Sequence, residues 1–423
     1  MDNAQIGWGI ALLAAATALV WVVVNRLTHT DRENARFVQG LFLAAVLLRA
    51  VVAVGDFLYL PYGALAPDEA GYVFAAKGLL ASGSVNVGAA VTGHGWIYFN
   101  LLLFHAFGVN PLLPRLWNCL VGGLAPVLCF ALARRLGAGR AARWSAILAA
   151  FFPSLLVWST LDLKDADVYF LVLAGLLLVT QLRDGVALLM LRIAGFGLVL
   201  LTLFSLRQFA AELLATSAAV ALVAASRPAR WLGDRAHPWR TFGAPIAGLV
   251  VLGLIVGVLF PRVGTSMYTI TGLGQLAHLR HEFGLGARSV TNPDPGIGTL
   301  AGALTFLPSG IVDFMLRPFP WEPGSELAVL TRPETILYYV LLLLAGLGIL
   351  VGLRRTPAVA LPLVTYLVIG MVGYGLVISN LGTLYRERAP LVLVLFVFVG
   401  LAIGALRPPE NERGPTGSAE SAV

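Results

Sequence analysis

Two adjacent carboxylates, Asp68 and Glu69, follow a long apolar segment in the sequence Ala66-Pro67-Asp68-Glu69. A positioned carboxylate can take the proton from a hydroxyl group as its oxygen attacks a carbon atom, which is general base catalysis. Pro67 favours the start of a helix, and acidic residues suit a first helical turn because of the helix dipole. On the pair alone, an acidic first turn of a short helix is therefore the favoured interpretation.

A second group of charges occupies the short turn 159–167 between two apolar segments, and it includes Asp162, Lys164 and Asp165. We predict that Asp162 is a solvated residue at the tip of this turn, with its charge offset locally by Lys164. For Lys164 and Asp165, a structural role and a role in binding substrate are supported equally.

Arginines near the ends of other apolar segments could bind a phosphate, because a guanidinium group holds a phosphate in a bidentate fork. Arg386 and Arg388 precede the last apolar segment, with Glu387 between them. We favour a phosphate site over a local ion-pair network here, with Arg386 ahead of Arg388. Arg207 lies in another polar turn, where it could pair with Glu212.

Metal and nucleotide chemistry have weaker support. Adjacent carboxylates could bind a divalent metal, but they do not require one, and we assign no cofactor. His278, His281 and Glu282 have crude metal-ligand spacing, yet a solvated helix face explains them better. The glycine-rich loop that cradles the phosphates of ATP does not occur in the sequence. Cys119 and Cys129 fit neither a disulfide framework nor a zinc site.

The composition identifies the elements that must position these residues. Of the 423 residues, 58% are hydrophobic and 12% are charged, whereas about 25% of the residues in soluble proteins are charged. This composition excludes a cytosolic globular enzyme and a disordered chain. The net charge of +7 comes from basic residues that fall between apolar runs, so it does not indicate a surface for nucleic acid.

We predict an all-α polytopic membrane protein, because a crossing needs about 20 apolar residues and about eleven segments have this character. The predicted transmembrane helices are Ile6–Val24, Gly40–Leu60, Arg115–Ala133, Trp144–Thr160, Ala166–Leu182, Val186–Phe204, Phe209–Ala225, Phe242–Phe260, Glu334–Leu353, Pro357–Ile378 and Ala389–Leu406. The apolar segment Gly95–Gly108 is too short to cross, so we predict a helix that lies in the membrane interface. Arg49 and Asp56 share one face of the second span, which favours ion pairing with a neighbouring helix.

The short loops rich in arginine are predicted to be cytoplasmic, because Lys and Arg concentrate on that side of membrane proteins. The long loops 61–114 and 261–333 then face outward and carry interfacial helices. Residues 1–39 form an extra N-terminal span with its cytoplasmic loop, residues 40–406 form the transmembrane domain, and residues 407–423 form a disordered cytoplasmic tail. We therefore predict a multi-pass protein of the inner or plasma membrane whose active site is extracytoplasmic.

The order of features around Asp68 resembles the first extracytoplasmic loop of the GT-C superfamily of membrane glycosyltransferases. A span is followed by the acidic pair, by a helix that contains Tyr72, by an interfacial helix, and by a span that opens at Arg115. The closest likeness is to the protein O-mannosyltransferases and the lipid A aminoarabinose transferases. It continues through Ala131–Gly137 and Ala149–Pro153.

This resemblance implies a chemistry for the acidic residues. In the family the first acidic residue of the loop is the catalytic base, and the donor is a sugar on a polyprenyl phosphate. Applied to this sequence, the resemblance implies that Asp68 is the base, with Glu69 beside it. Asp165 matches the second acidic position of the family, and Arg386 loosely matches an arginine near a late span that binds the donor phosphate.

We therefore predict an integral membrane glycosyltransferase, a hexosyl- or pentosyltransferase that moves a sugar from a polyprenyl-phosphate donor to an envelope glycan, lipid or protein. Its predicted partners are these substrates and membrane lipids, and not nucleic acid. The predicted catalytic residues are Asp68 and Glu69, no metal ligand is assigned, and the predicted substrate-binding residues are Tyr72, Lys77, Lys164, Asp165, Arg207, Arg386 and Arg388. The alternatives are an envelope polysaccharide polymerase of similar fold, a membrane transporter and a non-enzymatic envelope assembly protein. A transporter is disfavoured because the polar residues gather at one face rather than at the midplane.

Overall fold

The structure, a computed structural model, describes residues 3–28, 32–83, 94–182, 184, 188–231, 273–285, 290–292, 294–322 and 332–406. Regular structure in these ranges is helical, which confirms the predicted all-α class. Val290 and Asn380 form an isolated backbone bridge. The predicted span Phe242–Phe260, the tail 407–423 and parts of the loop 261–333 lie outside the described residues.

Fifteen α-helices and one short 3₁₀ turn, Gly139–Ala141, account for the regular structure of the described ranges. The helices are α1 (Asn3–Thr28), α2 (Arg32–Tyr59), α3 (Asp68–Ser82), α4 (Gly95–Phe107), α5 (Leu112–Arg135), α6 (Ala142–Phe151), α7 (Pro153–Trp158), α8 (Asp165–Gln181), α9 (Leu189–Leu206), α10 (Gln208–Trp231), α11 (Leu273–Gly284), α12 (Leu300–Leu316), α13 (Arg332–Arg355), α14 (Pro357–Val377) and α15 (Leu381–Leu406).

Seven of the described helices are long and apolar enough to cross a membrane, namely α1, α2, α5, α9, α13, α14 and α15. The shorter apolar helices are α4, α12 and the Gln208–Leu222 part of α10. These helices confirm a polytopic membrane fold. The total of eleven spans and the side that each loop faces remain predictions.

The predicted span Trp144–Thr160 is divided into two helices, α6 and α7. Phe152 separates them in an extended conformation, with φ −65° and ψ 121°, because a residue before proline is driven out of the helical region. Arg49 fills the break: its guanidinium donates to the carbonyls of Ala149 and Ala150 at 3.4 and 3.0 Å. Arg49 thus caps the end of α6, where backbone carbonyls lack helical partners.

Helix α15 runs through the centre of the bundle. Of its most apolar stretch, 78% of the residues are buried, against 6% in α1. Gly348 of α13 allows the close approach, because a Cβ atom there would collide with the carbonyl of Phe398. The central position of α15 brings its first turns, with Arg386 and Glu387, into the interior of the bundle.

Candidate active site

Several helix ends meet at a chain of ion pairs that starts at Asp68. Nη1 of Arg386 donates to Oδ2 of Asp68 at 2.6 Å, and Nε of Arg386 donates to Oδ2 of Asp165 at 2.9 Å. Nη2 of Arg207 donates to the other oxygen of Asp165 at 2.8 Å, and Nη1 of Arg207 lies 3.2 Å from Oε2 of Glu387. This ion-pair chain joins the first turn of α3, the start of α8, the junction of α9 with α10, and the first turns of α15.

Asp165 is the centre of the ion-pair chain. Its side chain is fully buried, and each of its two oxygens binds a different arginine. Burial alone would raise the pKa of Asp165, but the guanidinium groups of Arg386 and Arg207 hold that pKa below its ordinary value. Asp165 is therefore ionised, and it fixes the spacing between the two arginines.

Asp68 differs from Asp165 because 51% of its side chain is exposed. Its carboxylate therefore has room for a further hydrogen bond besides the one from Arg386. Tyr72 lies one helical turn later on the same face of α3 and is half-buried. Burial raises the pKa of Tyr72 to about 12, although the charge of Arg386 opposes the shift.

Lys164 precedes Asp165 and is half-buried. Burial, followed by the nearby charge of Arg207, lowers the pKa of Lys164 to about 8, while Asp165 acts in the opposite direction. Among the described residues, Lys164 makes no ion pair or hydrogen bond through its ammonium group. This ammonium is therefore available to an incoming anion.

Glu69 points away from Asp68 into a buried network that ties the end of α2 to the first turns of α3 and α5. Its carboxylate is fully buried and accepts a fork from Arg115, with Nε at 2.9 Å and Nη2 at 2.8 Å. The backbone N–H of Asp162 donates to the same carboxylate at 2.6 Å, and Arg115 also pairs with Asp56. We refer to Asp56, Glu69 and Arg115 as the buried latch. It holds the first turn of α3 and therefore the position of Asp68.

The prediction that Asp162 is solvated at the tip of a turn is wrong. Its side chain is fully buried and accepts hydrogen bonds from Tyr62 Oη at 2.9 Å, Trp96 Nε1 at 2.8 Å and Asn100 Nδ2 at 3.1 Å. Helix α4 covers the turn, so the turn folds inward instead of facing water. Burial raises the pKa of Asp162 to about 7, although the three donors act in the opposite direction.

Besides Tyr72 and Lys164, which lie beside the ion-pair chain, two predicted binding residues, Lys77 and Arg388, point away from it. Lys77 is exposed on α3, and nine residues at about 100° each place it on the face opposite Asp68. Arg388 is buried and donates to the backbone carbonyls of Phe314, Met315 and Arg317 at 3.4, 2.9 and 2.8 Å. Arg388 thus fastens the end of α12 to α15.

Two further ionic predictions concern Glu212 and the histidines. The possible pairing of Arg207 with Glu212 does not form, because Arg207 donates to Asp165 and Glu212 accepts from Gln208 at 2.7 Å. His278 and Glu282 are 3.9 Å apart on an exposed part of α11. In the described part of the chain, no three His, Cys, Asp or Glu residues lie close enough to hold a metal ion. Asp68 and Glu69 do not share a site, because they point into different surroundings.

Sequence reasoning missed the residues that support the site. Arg115 was taken only as the start of a span, although a lone arginine there is costly to bury without partners. Asn118, one turn later, donates to the carbonyls of Leu161 and Leu163, both at 2.6 Å. The expected pairing of Asp56 with a neighbouring helix is confirmed, since its partner Arg115 lies on α5.

Known proteins resemble this chain in fold rather than in sequence. No protein-family model matches the sequence, and no curated protein matches it significantly. ArnT from Cupriavidus metallidurans bound to undecaprenyl phosphate superposes with a TM-score of 0.54 at 16% identity, covering 87% of this chain and 60% of that one. The apo state of the same protein gives a TM-score of 0.53 at 16% identity, covering 87% and 59%.

The chain thus spans about three-fifths of the length of the solved ArnT chains. ArnT is an aminoarabinose transferase, a glycosyltransferase of the GT-C class. The resemblance predicted from the first outer loop is confirmed at the level of fold: this chain has the polytopic helical fold of ArnT.

Proposed function

We propose that this chain is a membrane glycosyltransferase that moves a sugar from a polyprenyl-phosphate donor to an acceptor on the extracytoplasmic face. The observation that carries the proposal is the bridge from the half-exposed Asp68 through Arg386 to the buried Asp165. This bridge sets a carboxylate and phosphate-binding cations side by side. The ArnT-like fold adds support, because a solved ArnT structure holds undecaprenyl phosphate.

In the proposed reaction, Asp68 is the general base. The acceptor hydroxyl donates a hydrogen bond to the free part of the Asp68 carboxylate, and its oxygen attacks the anomeric carbon of the donor sugar. The bond from this carbon to the phosphate oxygen breaks, and the phosphate leaves with the electron pair. The hydroxyl proton passes to Asp68, whose half-exposed position lets it lose the proton to water afterwards.

Arg386 and Lys164 are the proposed partners of the donor phosphate. Arg207 is less suited, because its side chain is buried and lies between Asp165 and Glu387. Arg386 retains Nη2 for a further bond, and the ammonium of Lys164 has no partner among the described residues. Together they would stabilise the charge on the leaving phosphate.

The remaining acidic residues have a supporting part in this proposal. Asp165 holds Arg386 and Arg207 in place, and Glu69 holds the first turn of α3 through Arg115. Tyr72, one turn after Asp68 on the same face of α3, would line the donor site. The extracytoplasmic side of the site follows from the arginine distribution of the loops and belongs to the proposal as well.

The test is transfer from a panel of undecaprenyl-phosphate sugars by the full chain in lipid nanodiscs. Asp68→Asn should lower the transfer rate about 10²–10⁴-fold, the contribution expected of a general base, and leave membrane insertion unchanged. Asp184→Asn, at an exposed ion pair with Arg135, is the matched control and should transfer normally. Normal transfer by Asp68→Asn would contradict the assignment of the base.

Two other outcomes separate the alternatives. Wild-type chain that carries a solute across vesicles without consuming any lipid-linked sugar would favour a transporter. Envelope assembly that survives simultaneous replacement of Asp68, Asp165 and Arg386 would favour a non-enzymatic assembly protein.

A further inference from the structure

A pair of stacked aromatic rings stands on the short segment that follows α12. The rings of Phe319 and Trp321 are parallel within 3°, with centroids 5.1 Å apart. Trp321 is 76% exposed, so one face of its indole is covered by Phe319 and the other is open with respect to the residues that the structure describes. We refer to Phe319 and Trp321 as the aromatic platform.

Charged side chains hold the aromatic platform in a fixed shape. The guanidinium of Arg317 lies 5.5 Å from the centroid of the Phe319 ring and pairs with Asp313 at 2.9 Å and with Glu322 at 3.1 Å. A second oxygen of Glu322 accepts the backbone N–H of Phe319 at 3.0 Å. A side chain that only anchors a protein in a bilayer needs no such preorganisation, whereas a binding surface gains affinity from it.

The aromatic platform is fastened to α15, the helix that carries Arg386. Nη1 of Arg388 donates to the carbonyl of Arg317 at 2.8 Å. Arg388 follows Arg386 by two residues on α15, about 3 Å along the helix axis and about 200° around it, so the two side chains leave the helix in different directions. The platform is therefore joined to the helix that carries Arg386, on a different side of that helix from the ion-pair chain.

We propose that the aromatic platform binds a neutral sugar ring of the acceptor. A sugar ring has an apolar C–H face that can lie on an indole, and hydroxyl groups at its edge that bond to charged side chains. Two carboxylates, Asp313 and Glu322, and the guanidinium of Arg317 stand at the edge of the platform. Arg332 donates to the carbonyl of Glu322 at 3.1 Å. Among these four described residues, carboxylates and guanidiniums are equal in number, so they provide no excess positive charge for a phosphate or a polyanion.

This inference rests on the proposed function, since it specifies the acceptor as a carbohydrate, but it can be tested without any transfer reaction. The full chain in nanodiscs is titrated separately with three neutral probes: maltotetraose, cellotetraose and chitotetraose. The chain contains nine tryptophans, so the fluorescence of Trp321 is obtained as the difference between wild type and Trp321→Phe. A calorimetric titration gives the affinity independently.

We expect saturable binding of at least one probe, weakened tenfold or more by Trp321→Ala and less by Trp321→Phe, which retains an aromatic face. Trp8→Ala is the matched control, because Trp8 is 72% exposed on the peripheral helix α1, and it should leave binding unchanged. Absence of saturable binding with all three probes would overturn the proposal. So would binding that Trp321→Ala does not alter.

A second measurement distinguishes the platform from a membrane anchor. Nanodiscs with brominated acyl chains quench tryptophans that lie in lipid, whereas dissolved iodide quenches those in water. We expect iodide to quench the Trp321 difference signal, and strong quenching by the brominated chains would overturn the proposal.

Loss of activity in Asp68→Asn tests the transfer chemistry itself. If Asp68→Asn transfers normally, the proposed function fails. If Asp68→Asn loses transfer as expected but Trp321→Ala leaves the acceptor KM unchanged, only the assignment of the aromatic platform fails.

Discussion

Replacement of Glu69 by glutamine should destabilise the bundle far more than replacement of an exposed carboxylate. The Glu69 side chain is 0% exposed and accepts two hydrogen bonds from Arg115, at 2.9 and 2.8 Å, besides one from the backbone of Asp162. Glutamine keeps an oxygen for the Asp162 N–H but turns an NH₂ group toward the guanidinium. Removal of one partner from a buried ion pair costs about 3–5 kcal/mol.

The exposed pair between Arg135 and Asp184 provides the matched control. Its side chains are 26% and 38% exposed, and pairs of this kind contribute about 0–1 kcal/mol. Asp184→Asn should therefore change the free energy of unfolding by about 1 kcal/mol or less. The predicted difference between the two variants is large enough to measure in one assay.

Buried cysteines make unfolding easy to follow. Cys119 and Cys129 are both fully buried, so a thiol-reactive fluorophore will label them only as the bundle opens. On heating, Glu69→Gln should lower the Tm by about 3–8 °C and Asp184→Asn by about 2 °C or less. Equal shifts in the two variants would refute the assignment of Glu69 to a buried, charge-paired position.

The order of effects within the buried latch is a stricter check. Arg115→Met removes the partner of two carboxylates, Glu69 and Asp56, at once. It should therefore lower the Tm more than Glu69→Gln does, because two buried carboxylates lose their counter-charge. The opposite order would mean that Arg115 is not shared between them.

Three further predictions concern pH and packing. The donor KM should rise as the pH increases through about 8, because Lys164 has a pKa of about 8 and loses its charge there. Lys164→Arg should remove this rise. The same pH profile of the donor KM in Lys164→Arg and wild type would contradict a contact of Lys164 with the phosphate. Burial raises the pKa of Asp162 to about 7, so the contribution of Asp162 to stability is complete below its unfolded pKa and is lost as the pH rises through about 7. Asp162→Asn should flatten the pH dependence of unfolding in the thiol-labelling assay. The same pH dependence in Asp162→Asn and wild type would contradict this role of Asp162. Gly348→Ala should destabilise the bundle by about 1–3 kcal/mol, because overpacking forces neighbouring groups apart and the new Cβ would collide with the Phe398 carbonyl. Gly346→Ala is the control and should be neutral, because a Cβ at position 346 has no atom within 4 Å.

Several local features of the site could be predicted from short stretches of sequence. Pro67 precedes α3 as expected, and Gly83 ends this helix in the left-handed conformation at a φ of 62°. Pro153 likewise explains the break between α6 and α7 at Phe152, which hydropathy alone did not reveal. Such features depend on neighbours within one or two helical turns, so the sequence contains the necessary information.

The errors arose where a residue has partners from distant segments. From the sequence, Asp162 looks like a solvated turn residue because the turn around it is rich in polar and charged residues. Its donors Tyr62, Trp96 and Asn100, however, come from α4 and the loop after α2. Arg207 was expected to pair with Glu212 along one helix, but Asp165 of α8 lies closer to it. In a low-dielectric interior, each buried charge selects the partner that tertiary packing brings near it.

By itself, the sequence determined the membrane class, the all-α fold and most helix positions, because transfer of a segment from water to lipid depends on its own apolar length. It also identified Asp68, Asp165, Arg207 and Arg386 as residues of interest. Only the tertiary structure decided which of them meet. Asp68 and Arg386 are 318 residues apart in the chain, and their contact depends on the packing of α15 through the centre of the bundle. The different surroundings of Asp68 and Glu69 likewise follow from tertiary packing, because Arg115 of α5 reaches Glu69 whereas Arg386 of α15 reaches Asp68.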